Sequence, residues 1–173
     1  MRRTITAVVT VLLVTSCNPT SKQAPDDGSP RRDAEQTGGM QPLDSSVHSY
    51  YRNSSSSLED SARAVVRDSQ AWSALWAQIV ANHSPTPPVP SIDFSREMLI
   101  VAAMGTRNSG GYTIKVESVS GSSTELVATV SATSPGRSCM TTQALTAPVD
   151  IVRVPRSELS VRFVEQRSVN ECG

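Results

Sequence analysis

The sequence predicts a mainly β domain of the α+β class, a small antiparallel sheet or sandwich with one amphipathic helix packed on it. Three observations lead to this class. Apolar residues recur at helical spacing in residues 72–80, an uninterrupted apolar run of strand length occupies residues 98–103, and several later segments alternate apolar with polar residues. Because the periodic segment has one apolar face, we expect it to cover a sheet.

Two short strands precede the predicted helix, a weaker one at residues 47–52 and another at residues 61–68. The helix follows from the spacing i, i+3, i+4, i+7 and i+8 of its apolar residues, which are Trp72, Leu75, Trp76, Ile79 and Val80. Asp68 or Ser69 should cap its start, and Asn82 followed by Pro85 should end it. Both tryptophans then share one face, which we interpret as facing the core, with a ligand-binding face as the alternative.

The strands after the helix form the rest of the predicted sheet. The proline-rich residues 84–90 are expected to be an extended connection, and residues 97–104 a central strand buried on both faces. Alternation at residues 112–116 and 126–130 around the turn at residues 121–123 predicts a hairpin. Further strands are expected at residues 142–145 with 149–154, and at residues 159–164.

The N-terminus carries the pattern of an export signal. Arg2 and Arg3 precede an uncharged, largely aliphatic run at residues 5–14, which is too short to span a bilayer. Thr15-Ser16-Cys17 resembles the lipobox of bacterial lipoproteins. That resemblance implies a signal peptide at residues 1–16, cleavage before Cys17, a diacylglyceryl group on its sulfur and acylation of the new amine with a chain such as palmitate. An ordinary secretory signal with an incidental cysteine is the alternative.

The lipidated N-terminus and the polar stretch after it, residues 17–43, are expected to be a disordered tether, because they contain almost no aliphatic residue. The β domain should then occupy residues 44–173. Asn18 is not the Asp that favours inner-membrane retention, so we expect a lipid-anchored protein of the bacterial cell envelope, at the outer membrane. With 16 Lys and Arg against 16 Asp and Glu, composition offers no electrostatic case for a nucleic-acid partner.

Two cysteines, Cys139 and Cys172, remain once Cys17 carries lipid. In an oxidising compartment they can form one disulfide. A metal site is an alternative, but the chain's two histidines, His48 and His83, do not stand at metal-ligand spacing. A free Cys139 thiol acting as a nucleophile is a third alternative.

Several of these segments together resemble the C-terminal domain of protease complex subunit PrcB. The similar segments are Trp72 with Leu75-Trp76, Ile-Asp-Phe-Ser-Arg-Glu at residues 92–97, Gly-Thr-Arg at 105–107, Ser-Gly-Gly-Tyr-Thr-Ile at 109–114, Pro-Gly at 135–136, Thr-Gln-Ala at 142–144 and Pro-Val-Asp-Ile-Val at 148–152. The resemblance implies a small extracytoplasmic domain, mainly β with one helix and often part of a lipoprotein. The family's named member is an auxiliary subunit associated with a spirochaete surface protease. The resemblance supplies no catalytic residues.

The loop Arg107 to Tyr112 is the candidate partner-binding site, with Arg107, Gly110, Gly111 and Tyr112 as its residues. Arg107 is the residue expected to pair with a carboxylate of a partner. The backbone amides of the loop could also cradle an anion. The alternative is a hairpin turn that needs glycine for a positive φ.

Catalysis is not expected. Asp93, Glu97 and Asp150 lie nearest to predicted strand ends, but their sequence separation gives no sign of a carboxylate pair, and no Gly-x-Ser-x-Gly elbow is present. No cofactor is expected. Three hypotheses remain: an accessory protein that binds and stabilises another envelope protein, with a protease as the candidate; an envelope binding module for a small molecule, peptide or glycan; and an enzyme of unrecognised type.

Overall fold

The structure, a computed structural model, describes residues 41–42, 47 and 49–172. The expected signal peptide, Cys17, His48 and nearly all of the expected tether lie outside these residues. The described elements follow the order β1 (Gln41–Pro42), β2 (Ser49–Asn53), β3 (Ala62–Val66), α1 (Ser69–Ile79), β4 (Glu97–Ala103), β5 (Thr113–Gly121), β6 (Glu125–Pro135), β7 (Val149–Pro155) and β8 (Ser160–Asn170). The short β1 falls within the last residues of the range expected to be tether.

The strands form two four-stranded sheets. Sheet 1 has the order β1-β5-β6-β8 and sheet 2 the order β2-β7-β4-β3. Neighbours are antiparallel except β6 and β8, which run parallel from Glu125 opposite Ser160 to Pro135 opposite Asn170. The chain leaves sheet 1 after β6, passes through β7 in sheet 2 and returns as β8, and a crossover of this kind allows parallel pairing. The mainly β class with one helix is confirmed for the described residues.

Strands β4 and β7 are buried on both faces because sheet 2 lies between sheet 1 and the helix. Met98, Ile100 and Ala102 pack into the core shared with sheet 1, whereas Leu99, Val101 and Ala103 pack into the core beneath the helix. All six of these β4 side chains are fully buried. The expected central strand is confirmed, since a strand with two covered faces needs an uninterrupted apolar sequence.

The helix α1 covers sheet 2 with the expected apolar stripe. The Asp68 side chain accepts a hydrogen bond from the Ala71 N–H at 2.8 Å and caps the first turn. Trp72 and Trp76 are buried, and their indole N–H groups donate to the carbonyls of Pro90 and Pro87 at 2.8 and 3.2 Å. The core-facing interpretation of the tryptophans is therefore confirmed, and the proline-rich segment supplies the acceptors that their buried N–H groups require. No helix of the described residues is long and apolar enough to cross a membrane.

The prediction of a strand at residues 142–145 is wrong. These residues form a loop, in which the Thr142 carbonyl accepts a hydrogen bond from the Gly110 N–H at 3.0 Å and Leu145 is exposed. Strand pairing begins with isolated bridges at Thr146 and Ala147 and becomes regular in β7. The segment is a loop because it packs on another loop instead of beside a sheet edge.

Candidate functional site

The inner face of sheet 1 changes from apolar to polar toward one end of the molecule. Side chains on one face of a strand recur every second residue. Along β8, Val161 and Phe163 pack into the core, and the next two residues in this series, Glu165 and Arg167, line a cleft instead. On the neighbouring strand β6, Ala132 and Ser134 likewise follow the buried Ala128 and Val130.

The end cleft has a volume of about 350 Å³ and is shared by both sheets. Strand β3 supplies Arg63, the segment after β4 supplies Met104 and Arg107, and the residue before β5 supplies Tyr112. The cleft therefore contains three arginines and one glutamate. It brings together Arg107 and Tyr112, two of the four residues assigned to the predicted partner-binding site.

Arg107 is held in the cleft by its backbone and by its guanidinium. Its N–H and carbonyl exchange hydrogen bonds with Thr146 at 2.7 and 3.0 Å, and its Nη2 donates to the Met104 carbonyl at 2.7 Å. The guanidinium carbon lies 5.7 Å from the centre of the Tyr112 ring, within cation–π range. Its Nε–H is buried and has no hydrogen-bond partner among the described residues.

Arg63, Glu165 and Arg167 form an ion-pair chain across the cleft and join the edge strands of the two sheets. Arg63 Nη2 donates to Glu165 Oε1 at 2.8 Å, and Arg167 Nη2 donates to Glu165 Oε2 at 2.9 Å. Arg63 Nη1 donates to the carbonyls of Ala62 and Ala103, each at 2.7 Å. The hydrogen bond from Arg167 and the positive charge of Arg63 hold the pKa of Glu165 below its usual value, although burial acts in the opposite direction.

Gly110 and Gly111 of the predicted site allow close packing of neighbouring segments. A Cβ atom on Gly110 would collide with the Thr142 hydroxyl, and one on Gly111 would lie 3.0 Å from the Pro135 Cβ. Gly111 also has a φ of 86°, which glycine adopts without strain. The hairpin interpretation of this loop is wrong, because the loop connects β4 of sheet 2 to β5 of sheet 1, and strands of one hairpin would be neighbours in one sheet.

The disulfide between Cys139 and Cys172 is confirmed, with the two Cα atoms 5.0 Å apart. It joins the loop after β6 to the residues after β8. The Gly136 N–H also donates to the Asn170 carbonyl at 2.9 Å beside it. These links hold together the ends of the parallel strand pair that forms one wall of the end cleft, and they remove the metal and free-thiol alternatives for these two cysteines.

The acidic residues considered for catalysis have separate structural partners. Asp150 is fully buried and accepts hydrogen bonds from Ser49, Arg52 and the Val116 N–H. Asp93 and Glu97 line a different depression, where Glu97 pairs with Arg153 and Asp93 accepts from Ser95. Among the described residues, no group of three His, Cys, Asp or Glu side chains is arranged to hold a metal ion.

Three charged residues of the end cleft were not predicted, namely Arg63, Glu165 and Arg167. One signal was present in the sequence: charged residues at 165 and 167 continue the two-residue series of Val161 and Phe163. That series shows that the core-facing side of β8 becomes charged. It does not show that Arg63, about a hundred positions earlier, lies opposite.

The family described as PrcB C-terminal matches residues 98–155, a range that runs from β4 to β7 and includes Arg107 and Tyr112. No curated protein and no solved structure matches the chain. The match agrees with the resemblance noted in the sequence. Over residues 98–155 the chain is therefore similar to the PrcB C-terminal family.

Proposed function

We propose that the chain is a lipid-anchored accessory protein of the bacterial cell envelope, whose β domain binds and stabilises another extracytoplasmic protein, with a protease as the favoured partner. The observation that carries this proposal is the PrcB C-terminal match over residues 98–155. The named member of that family is an auxiliary subunit associated with a protease. Anchoring rests on the lipobox-like sequence before Cys17 and favours the outer membrane as the location.

The end of the domain that carries the loop after β4 is the favoured partner-binding surface. Arg107 and Tyr112 lie there beside the end cleft. The same loop is hydrogen-bonded to the segment from Thr142 to Thr146, near which the side chains of Met140 and Leu145 are exposed. A surface that combines arginine, tyrosine and exposed apolar side chains has the composition of a protein-binding site.

We also propose that the domain acts without catalysis. Asp93, Glu97 and Asp150 each have a structural partner, as described above. Hydrolase screening of the purified chain should give no turnover above a heat-treated control, and any saturable turnover that follows the folded protein would contradict this proposal.

The test of the accessory role is affinity purification from crosslinked membranes of the native host, with partners identified by mass spectrometry. The bait is the full chain. A double variant, Arg107→Gln with Tyr112→Ala, removes the two cleft side chains of the predicted loop. Arg153→Gln is the matched control, because it removes another arginine that lies over a tyrosine, 4.0 Å from the Tyr50 ring centre, outside the end cleft.

A protease enriched by the wild-type chain and by Arg153→Gln, but lost with the double variant, is the expected result. If the wild-type chain enriches no protein more strongly than the double variant does, the role assigned to this surface is overturned. Labelling with palmitate tests the anchor separately. Label should enter the wild-type chain and be absent from Cys17→Ser, and equal labelling of both would contradict lipidation at Cys17.

A second candidate function is an envelope module that binds a small molecule, peptide or glycan. The volume of the end cleft, about 350 Å³, favours it, because ligand sites commonly measure about 300 to 1,000 Å³. Thermal unfolding in the presence of a ligand library tests this candidate. A ligand at 100 times its Kd should add about 2.7 kcal/mol of stability.

A further inference from the structure

We propose that the end cleft binds a carboxylate of the partner polypeptide, in exchange for the side chain of Glu165. The carboxylate belongs either to an Asp or Glu side chain or to the chain terminus of the partner. This inference rests on the proposed function, since it assigns the chemistry by which the partner is recognised at the same surface.

The charge of the end cleft favours an anion. Arg63, Arg107 and Arg167 line it together with a single acidic side chain, Glu165. The Arg63 side chain is 19% exposed and Glu165 is 31% exposed, so this pair is partly shielded from water. Electrostatic attraction is stronger at such a site than on an open surface. Because the arginines outnumber the glutamate, one anionic group of a partner offsets part of the excess positive charge.

Hydrogen-bonding capacity in the end cleft is also incompletely used. A guanidinium carries five N–H donors, and that of Arg107 gives one hydrogen bond to a described residue, at the Met104 carbonyl. The Nε–H groups of Arg63 and Arg107 are buried and lack an acceptor among the described residues. A buried donor without an acceptor is costly, so a ligand oxygen that accepts from one of these Nε–H groups removes that cost.

Glu165 shows that a carboxylate fits the end cleft. Its two oxygens accept hydrogen bonds from Arg63 and Arg167, at 2.8 and 2.9 Å. Arg63 would stay in position after Glu165 leaves, because its Nη1 is held by the carbonyls of Ala62 and Ala103. An incoming carboxylate can therefore accept from Arg63 Nη2 while Arg63 stays in place. Glu165 acts as an internal competitor for this donor.

Carboxylate is the form of anion that the geometry favours. Arginine forks pair with planar two-oxygen groups, and the protein already uses such a group here. The Tyr112 ring lies beside Arg107 in the cleft and offers a flat wall for the carbon chain that carries the carboxylate. A volume of about 350 Å³ accommodates one such side chain or a chain terminus.

The test is an NMR titration of the full chain as its soluble Cys17→Ser form, in which the arginine Nε–H signals report on the end cleft. Three probe peptides are used: acetyl-Ala-Ala-Ala with a free C-terminal carboxylate, the same peptide amidated, and acetyl-Ala-Glu-Ala-amide. The first and third carry the two sources of carboxylate, and the amidated peptide carries none. Saturable shifts of the Arg63 and Arg107 signals with a carboxylate peptide, but not with the amidated one, are the expected result.

Variants separate competition from ordinary attraction. Glu165→Gln should bind the carboxylate peptide about fivefold more tightly, the change expected when a partly exposed ion pair no longer competes. Arg107→Gln should bind it about tenfold more weakly, because a charge-assisted donor is lost. Glu125→Gln is the matched control, since Glu125 pairs with Arg162 of β8, the strand that also carries Glu165, with an oxygen–nitrogen distance of 3.1 Å, and does not line the end cleft.

Two results would overturn the inference. One is the absence of saturable shifts with both carboxylate peptides, in the wild type and in Glu165→Gln. The other is an affinity in Glu165→Gln no higher than in Glu125→Gln. Arg63 is not replaced in this test, because it donates hydrogen bonds to two strand carbonyls and its replacement can unfold the domain. The test therefore depends on the gain of affinity in Glu165→Gln.

The two proposals can fail independently. Capture of a protease through Arg107 and Tyr112 without peptide binding in the end cleft would reject the carboxylate assignment and leave the accessory role in place. Peptide binding in the cleft without a captured protease would reject the accessory role and retain carboxylate binding.

Discussion

Asp150→Asn should lower the free energy of unfolding by about 3 kcal/mol, although it changes one oxygen of the side chain to an NH₂ group. Asp150 is fully buried, and its carboxylate accepts hydrogen bonds from Ser49 Oγ at 2.6 Å, Arg52 Nε at 3.1 Å, Arg52 Nη2 at 3.2 Å and the Val116 N–H at 2.8 Å. All four groups donate. An asparagine side chain has one acceptor oxygen and two donors, so it cannot serve them all.

The magnitude follows from the groups left without an acceptor. The Ser49 hydroxyl can rotate and accept from the new NH₂ group, so its loss is small. Either the buried Val116 N–H or Arg52 then lacks its acceptor, and an unsatisfied buried donor costs about 1 to 3 kcal/mol. Breaking a fully buried ion pair costs about 3 to 5 kcal/mol. Since the Arg52 side chain is 46% exposed, water replaces part of that interaction and the total stays near the lower figure.

Urea unfolding monitored by circular dichroism measures the effect, with Glu97→Gln as the control. Glu97 belongs to the same sheet, and its contact with Arg153 at 3.4 Å is between side chains that are 35% and 40% exposed. Such a pair contributes about 0 to 1 kcal/mol. A loss in Asp150→Asn no greater than the loss in Glu97→Gln would refute the argument that four donors require a buried carboxylate.

Three further changes test other parts of the fold. Cys139→Ser should lower the free energy of unfolding by about 3 to 4 kcal/mol, as expected for a loop closed over a sequence separation of 33; a urea midpoint equal to that of the oxidised wild type would contradict this. Trp72→Ala should cost about 3 to 5 kcal/mol by opening the core beneath the helix, and the half-buried Leu75→Ala clearly less; equal losses would show that Trp72 does not anchor that core. Arg167 and Arg63 lower the pKa of Glu165 in the folded protein. Its carboxylate therefore stabilises the fold at pH values above the unfolded-state pKa of about 4.3. This contribution is lost as the pH falls through the lower pKa of the folded state. The urea midpoints of wild type and Glu165→Gln should therefore differ at about pH 7, and the difference should shrink as the pH falls below about 4.3. A pH-independent difference would count against the ion pair.

The predicted elements that proved accurate are those with a strong local pattern. The helix at Ser69–Ile79 follows from its apolar spacing and the Asp68 cap, and β4 follows from six consecutive apolar residues. Residues 142–145 lacked such a pattern and were wrongly predicted to be a strand. Their loop conformation depends on hydrogen bonds to the Gly110 region, which the local sequence does not reveal.

The candidate site was predictable in part for the same reason. Arg107 and Tyr112 belong to one short loop, so a local motif and a family resemblance identified them together. Gly110 and Gly111 were assigned to the site from the same motif, but their contacts with Thr142 and Pro135 explain them by packing. Arg63 and Glu165 share no local pattern, because their pairing depends on how two sheets face one another.

The sequence by itself determined the mainly β class, the single helix of the described region, the doubly buried strand and the cysteines available for a disulfide. Periodicity and composition are properties of a few neighbouring residues, and the burial of a segment determines directly which of its residues are apolar. Only the tertiary structure decided the parallel pairing of β6 with β8 and the assembly of the end cleft. The crossover through β7 moves β8 beside β6 and opposite β3, and a charge becomes part of a site only when chain segments far apart in sequence pack against each other.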